Sequence, residues 1–218
     1  KRQVWHVKLR DLYGKDETAK AVQEVGQRIK SFSENIRSHQ TRGFTHKAFQ
    51  TIVAIGIGGS YLGPEFVYEA LRGSSQGRAA SSGIKLKFLA NVDPIDFESA
   101  VEGIDVETTL FIIVSKTFTT AETMLNARQA RQFIRQQYEK LKIEGDVVAS
   151  HLCAVSTNLT ATKSFGIKDE NVFGFWDWVG GRFSVSSAVG MLPLSLQFGY
   201  DIVEQFLQGL HSVDTHFN

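Results

Sequence analysis

Thr108-Thr-Leu-Phe-Ile-Ile-Val114 runs directly into Ser115-Lys-Thr-Phe-Thr-Thr120, and a helical pattern opens immediately afterwards at Ala121-Glu122. The first segment is of strand length, rich in β-branched side chains and continuous rather than alternating in polarity. A strand with one wet face alternates, whereas a strand covered on both faces does not, so this one belongs in a parallel sheet clothed by helices on either side.

Working outward, further apolar runs of strand length lie at 51–57, 84–92 and 151–156, with a shorter one at 172–175. Helical periodicity fills the intervals, at 62–72, 94–101, 121–138, 160–165, 185–198 and 201–216. Strand and helix in alternation predict an α/β fold, a three-layer α-β-α sandwich around a mainly parallel five-stranded sheet. Ahead of the first strand, Ala21, Val22, Val25, Ile29, Phe32 and Ile36 form a stripe of period 3.6, which predicts an amphipathic helix from Thr18 to about Ile36. Residues 1–45 are read as an N-terminal helical segment leading into one domain at 46–218. The Gly/Ser-rich stretch 73–83 is expected to be a flexible surface loop.

Composition narrows the function. With 218 residues, 42% of them hydrophobic, the chain can build one substantial core. Its 24 Lys and Arg against 23 Asp and Glu, a net charge of +1, argue against nucleic acid as a partner, which needs clustered positive charge. The single cysteine, Cys153, excludes an internal disulfide and any multi-cysteine metal site; it reads as a small buried hydrophobe in a protein of the reducing cytoplasm. No stretch reaches the ~18 apolar residues that span a membrane, so no membrane partner is expected. The absence of an initial Met and a helical pattern up to the last residues predict an excerpt of a longer protein.

Three motifs carry potential chemistry. In Ile55-Gly-Ile-Gly-Gly-Ser-Tyr-Leu-Gly-Pro64 a strand enters glycines and then a helix, an arrangement that lets a ligand approach the backbone and offers helix N–H groups to an anion. A dinucleotide fingerprint would need glycine where Tyr61 stands, and no Gly-Lys-Ser/Thr follows to make a nucleotide-phosphate loop. A glycine turn without a ligand is the plain alternative. The second motif, Ser115 to Thr120, concentrates hydroxyls and N–H groups at a helix start beyond a parallel strand, where a phosphate dianion could be cradled. Its plain alternative is that Thr119 or Thr120 only caps the helix. In the third, Trp176-Asp-Trp-Val-Gly-Gly-Arg-Phe-Ser-Val-Ser-Ser187, two glycines could aim Arg182 at a developing oxyanion, unless Arg182 merely pairs with Asp177. Core packing accounts for Trp176 and Trp178. The histidines show no ligand spacing, so no metal is expected, and no Gly-x-Ser-x-Gly nucleophile elbow is present.

In this order and spacing, Gly58-Gly59-Ser60, Ser115-Lys-Thr-Phe-Thr-Thr120-Ala-Glu122 and Asp177-Trp-Val-Gly-Gly-Arg182-Phe-Ser resemble the glucose-6-phosphate isomerase family, over essentially the whole chain. The resemblance implies the first of two sugar-isomerase (SIS) domains, truncated relative to the complete enzyme. It implies an aldose–ketose isomerase of glycolysis and gluconeogenesis that moves a proton between C2 and C1 of glucose 6-phosphate or fructose 6-phosphate through a cis-enediolate. It places the sugar phosphate on Ser115, Lys116 (chiefly its backbone), Thr117, Phe118, Thr119 and Thr120, with Gly59 and Ser60 touching substrate. Arg182 becomes the enediolate stabiliser with Gly181 beside it, and Glu122 an acid that pairs with a lysine from a distant C-terminal part. The family's glutamate base, ring-opening histidine and C-terminal lysine fall in segments beyond Asn218, so this chain alone is expected to be inactive. No cofactor is implied; the partner is a small sugar phosphate, and the complete enzyme is expected to be a homodimer. A non-catalytic phosphosugar-binding SIS module is the alternative, against which Arg182 speaks, since a sensor needs no enediolate stabiliser.

Overall fold

A computed structural model describes residues 5–81 and 83–217. The strands are β1 (Thr51–Ile55), β2 (Lys85–Leu89), β3 (Thr109–Val114), β4 (Leu152–Val155) and β5 (Val172–Phe173). They form one sheet of order β2-β1-β3-β4-β5, every neighbouring pair parallel, with Thr51 opposite both Lys85 and Thr109. The helices are α1 (Glu17–Arg37), α2 (Gly59–Arg72), α3 (Ser75–Ala80), α4 (Pro94–Val101), α5 (Ala121–Lys140), α6 (Leu159–Phe165), α7 (Ala188–Phe198) and α8 (Tyr200–Phe217).

The unbroken apolar run of β3 has the expected cause. Leu110, Ile112 and Val114 join a core with side chains of α1, α2, α7 and α8 on one face, while Phe111 and Ile113 join a second core with α4 and α5 on the other. The three-layer sandwich follows, and Cys153, fully buried in β4, belongs to the first of these cores. α7 is buried along its whole length, which explains why Ala-Val-Gly-Met-Leu-Pro-Leu-Ser-Leu-Gln-Phe shows no polar stripe.

Two long-range devices fix α7. The Arg37 guanidinium donates to the carbonyls of Leu196 (3.0 Å), Gln197 (2.9 Å) and Ala80 (2.6 Å), supplying partners that the last turn of a helix lacks. Gln197 Oε1 accepts the Leu86 N–H at 2.7 Å on the outer side of β2, the side turned away from β1. At the opposite, N-terminal edge of the sheet, His151 is completely buried. The Phe44 N–H donates to its Nε2 (3.2 Å), which fixes that nitrogen as an acceptor, so the Tyr138 hydroxyl also donates to it (2.8 Å) and Nδ1–H donates to the Thr109 carbonyl (2.7 Å).

Several boundaries depart from expectation. The stretch 73–83 is not simply a loop: Ser74 accepts from the Gly77 N–H and starts α3, a cap hidden within Gly/Ser-rich sequence. The helix predicted from residue 185 begins at Ala188, because Gly181–Ser186 forms a 3-10 turn and Ser187 caps the helix through the Val189 N–H. Residues 56–57 and 90–92 lie outside the strands. The N-terminal segment docks on the far end of the chain: Arg10 makes a two-pronged ion pair with Asp214, both contacts 2.6 Å, and His6 stacks on Phe183 with ring centroids 4.1 Å apart.

Candidate functional site

In a sheet of order 2-1-3-4-5 the connections leave β1 and β3 toward opposite faces, and the crevice beyond their carboxyl ends is where such sheets bind ligands. Here α2 follows β1 onto one face and α5 follows β3 onto the other, so the glycine and hydroxyl motifs flank that crevice.

Helix capping sets these two helices apart from five of the others. α1, α3, α4, α6 and α7 each begin with a side chain that accepts a first-turn N–H: Asp16, Ser74, Asp93, Asn158 and Ser187. α2 begins at Gly58 and α5 at Thr120, neither with a side-chain cap bond. The Thr120 hydroxyl instead faces the Ser115 hydroxyl, which donates to it at 3.4 Å, and Thr117 and Thr119 share a 2.6 Å contact between hydroxyls. The expectation that Thr119 or Thr120 only caps the helix is thereby set aside: the first-turn N–H groups of α5 have no side-chain partner in the cap residue.

The loop is held from behind. The Lys116 carbonyl accepts from the Thr157 N–H (3.0 Å), the Thr157 hydroxyl (2.7 Å) and the Ser156 hydroxyl (3.1 Å), and the Thr117 carbonyl accepts from the Asn158 side-chain amide (3.0 Å). A trans peptide sets N–H opposite C=O, so anchoring the Lys116 carbonyl to the β4–α6 turn aims the Thr117 N–H the other way. The bend occurs at Phe118, a non-glycine residue at φ 57°. Its ring is 4% exposed and meets Phe165 edge-on, so burial of the phenyl group offsets the roughly 1–3 kcal/mol of backbone strain. The Phe118 side chain is thus a core anchor and is turned away from the other loop side chains; Ser115 is buried, Lys116 and Thr120 half-buried, and Thr117 and Thr119 exposed.

The third motif meets the first at one contact. A Cβ added to Gly59 would overlap the Gly181 carbonyl and lie 2.8 Å from the Gly181 Cα, so only glycine allows α2 to start there. The Ser184 hydroxyl donates to the Gly181 carbonyl (2.6 Å) and reaches the Gly59 carbonyl (3.3 Å), fastening the pair. Gly58 precedes at φ 57° with ψ −122°, a conformation suited to glycine. Ser60 opens the first turn of α2, and Tyr61, whose phenol is pushed up to about 12 by burial and by its hydrogen bond with Glu65, stays neutral beside it.

Arg182 and Glu122 are exposed and have no ion-pair partner among the described residues. Asp177 is engaged elsewhere: its carboxylate lies 3.8 Å from Lys116 Nζ, so the Arg182–Asp177 pair envisaged from sequence does not form. Trp176 and Trp178 stack on each other at 5.2 Å and pack against the core, as expected. The sequence carries no signal for the supports from Ser156, Thr157 and Asn158 or for the Ser184 bond to Gly59, because each joins residues far apart in the chain, whereas the Ser184 bond to Gly181 is local.

Fold and site together define a doubly wound α/β domain with a candidate anion site at the switch point of its sheet. The family model for phosphoglucose isomerase matches residues 1–218. A cytosolic glucose-6-phosphate isomerase of Spinacia oleracea is 51% identical, over 100% of this chain and 38% of its own length. Its cytosolic B counterpart from Oryza sativa subsp. japonica is 50% identical, over 99% of this chain and 38% of its own length. Among solved structures, a glucose-6-phosphate isomerase from Chlamydia trachomatis superposes with a TM-score of 0.76 at 33% identity, covering 97% of this chain and 38% of that one. A hypothetical protein from Thermus thermophilus, with a TM-score of 0.62 at 24% identity over 92% of this chain and 41% of its own, shares the fold. The chain belongs to the phosphoglucose isomerase family and spans about two-fifths of the length of these curated relatives.

Proposed function

We propose that this chain is the phosphate-anchoring part of a glucose-6-phosphate isomerase, an aldose–ketose isomerase that works through a cis-enediolate. The observation that carries the reading is the pair of helices, α2 and α5, that open without a side-chain cap at the sheet's switch point, with Ser60 and the Ser115–Thr120 hydroxyls around them. A phosphate dianion there receives the first-turn N–H groups of α5 and the favourable dipoles of both helices, each typically ~0.3–1 kcal/mol, while in α2 the Ser60 and Tyr61 N–H groups already donate to the Ile57 and Gly58 carbonyls. In this reading Ser115, Lys116 through its backbone, Thr117, Thr119 and Thr120 hold the phosphate, Phe118 holds the loop, and Gly59 and Ser60 approach the sugar.

Binding energy gathered at the non-reacting phosphate then orients C1 and C2 for proton transfer. Arg182, exposed and unpaired among the described residues, next to Gly181, supplies a fixed positive charge for the enediolate oxygen. The proton-transferring carboxylate is assigned to a part of the enzyme outside these 218 residues, as are the ring-opening histidine and the lysine that would pair with Glu122. The homodimeric state, the cytosolic location and the identity of residues 46–218 as the first sugar-isomerase domain belong to the same proposal, drawn from the family and from the names of the relatives.

Calorimetric titration of this chain with fructose 6-phosphate, beside a coupled isomerase assay on the same sample, tests it. Saturable binding without turnover is the expected result. Turnover by the isolated chain would move the base into these residues, with Glu122 the first candidate, and absence of any sugar-phosphate binding would remove the anchoring role.

A further inference from the structure

A lysine inside a phosphate-binding loop would ordinarily be expected to spend its ammonium on the dianion. Lys116 is placed otherwise. Its Nζ donates to the Asp177 carbonyl at 2.8 Å and reaches the Val179 carbonyl at 3.3 Å, with the Asp177 carboxylate 3.8 Å away. An ammonium has three donors, and these contacts employ most of them on the turn that leads into Gly180, Gly181 and Arg182. That turn is closed by its own Val179 N–H bond to the Trp176 carbonyl (3.0 Å), and the Phe183 N–H bond to the Gly180 carbonyl (3.1 Å) follows it, so displacement of Asp177 and Val179 is passed on to Arg182.

The backbone of the same lysine is pinned. Its carbonyl holds three donors from the β4–α6 turn, and its loop follows β3, the central strand. One residue therefore has its main chain fixed in the hydroxyl loop and its ammonium fixed to the arginine-bearing turn. On the opposite side that turn rests on Gly59.

We propose that the Lys116 side chain is a positioning residue, a strut that sets the distance between the phosphate-holding loop and Arg182 and does not itself bind phosphate. The inference rests on the isomerase reading given above for Arg182. Where a reacting group must be held to within a fraction of an ångström, loss of such a strut lowers turnover more than affinity.

The test compares Lys116→Met and Lys116→Arg with the parent. In this chain, titration with inorganic phosphate is expected to give affinities within about threefold for all three, while hydrogen–deuterium exchange of residues 177–183 rises about tenfold in Lys116→Met and returns toward the parent in Lys116→Arg. In the full-length enzyme, Lys116→Met is expected to lower kcat by about tenfold or more with KM within about threefold, and Lys116→Arg to restore part of it. A Lys116→Met variant that loses phosphate affinity about tenfold with unchanged exchange would overturn the proposal and make Lys116 a direct phosphate ligand. Unchanged exchange together with unchanged kcat would also overturn it. If Arg182→Ala leaves kcat intact, the reading of Arg182 falls, and the exchange result alone then decides whether the strut exists.

Discussion

At the scale of single residues, the two glycines that touch are not equivalent. A methyl group on Gly59 collides with the Gly181 backbone, whereas one on Gly181 would lie an ordinary 3.9 Å from the Gly59 Cα. Gly59→Ala is therefore expected to destabilise by roughly 1–3 kcal/mol, the usual range for forced overpacking, and Gly181→Ala to unfold at the parent's urea midpoint. If substrate passes close to Gly181, the alanine variant will still lose sugar-phosphate affinity, a loss without a stability change that titration reads directly. Thr120→Val removes a hydroxyl that caps nothing, so stability should hold, while losing a hydrogen bond to a dianion, about 1.5–3 kcal/mol, weakens phosphate binding roughly tenfold or more. Arg182→Ala in the full-length enzyme should lower kcat far more than it raises KM; a change confined to KM would make it a ground-state contact. The residue types at these positions were legible in the sequence because glycine, hydroxyl and guanidinium each have few physical uses next to a strand end. The burial of the Phe118 ring was not, since nothing local announces that a phenylalanine takes a left-handed backbone in return for a place in the core.

At the scale of elements, periodicity located α1, α4 and β3 nearly to the residue, because each presents one unambiguous pattern to its surroundings. It failed where the cause of structure is a cap or a distant partner: α3 depends on the Ser74 hydroxyl, and the start of α7 on Ser187. The other end of α7 depends on Arg37, the last residue of α1, which no window on the sequence reveals. Burial draws the Arg37 guanidinium below its ordinary range, yet its intrinsic basicity leaves it charged. Arg37→Met would keep most of the side-chain volume and orphan the carbonyls of Leu196, Gln197 and Ala80. A loss of about 1–3 kcal/mol is expected, seen as a lower urea midpoint at constant slope, with fructose 6-phosphate affinity unaffected.

At the scale of the whole molecule, the two edges of the sheet divide the labour. The carboxyl edge leaves the start of α5 without a side-chain cap, and the amino edge closes the polar groups of His151, binding the beginnings of β3 and β4 to the end of α5. Burial lowers the His151 pKa below its usual 6.5, and protonation would set a proton against the Phe44 N–H. The unfolded chain, titrating near 6.5, then binds more protons than the folded one just below that value, so stability is complete above about pH 6.5 and falls as the pH drops toward the lowered folded value. His6, lowered by burial and by Arg10, acts in the same direction. Denaturant unfolding across this range should show the decline, and His151→Gln should flatten its slope while lowering stability above about pH 6.5; an unchanged slope would assign the decline to other groups. The layered fold itself was legible from the alternation of strands and helices, whereas the meeting of three motifs at one crevice rests on strand order, which a single sequence does not encode locally.

The bond from Gln197 to β2 has a consequence beyond packing. β2 ends the sheet, and an uncovered edge strand is a template on which another chain can build. By occupying the outward N–H of Leu86, α7 removes one rung of that template, and Lys85 and Lys87 on either side bring charge that an incoming strand would have to desolvate. The helix most completely surrounded by its own protein thus also guards the sheet against recruitment into aggregates.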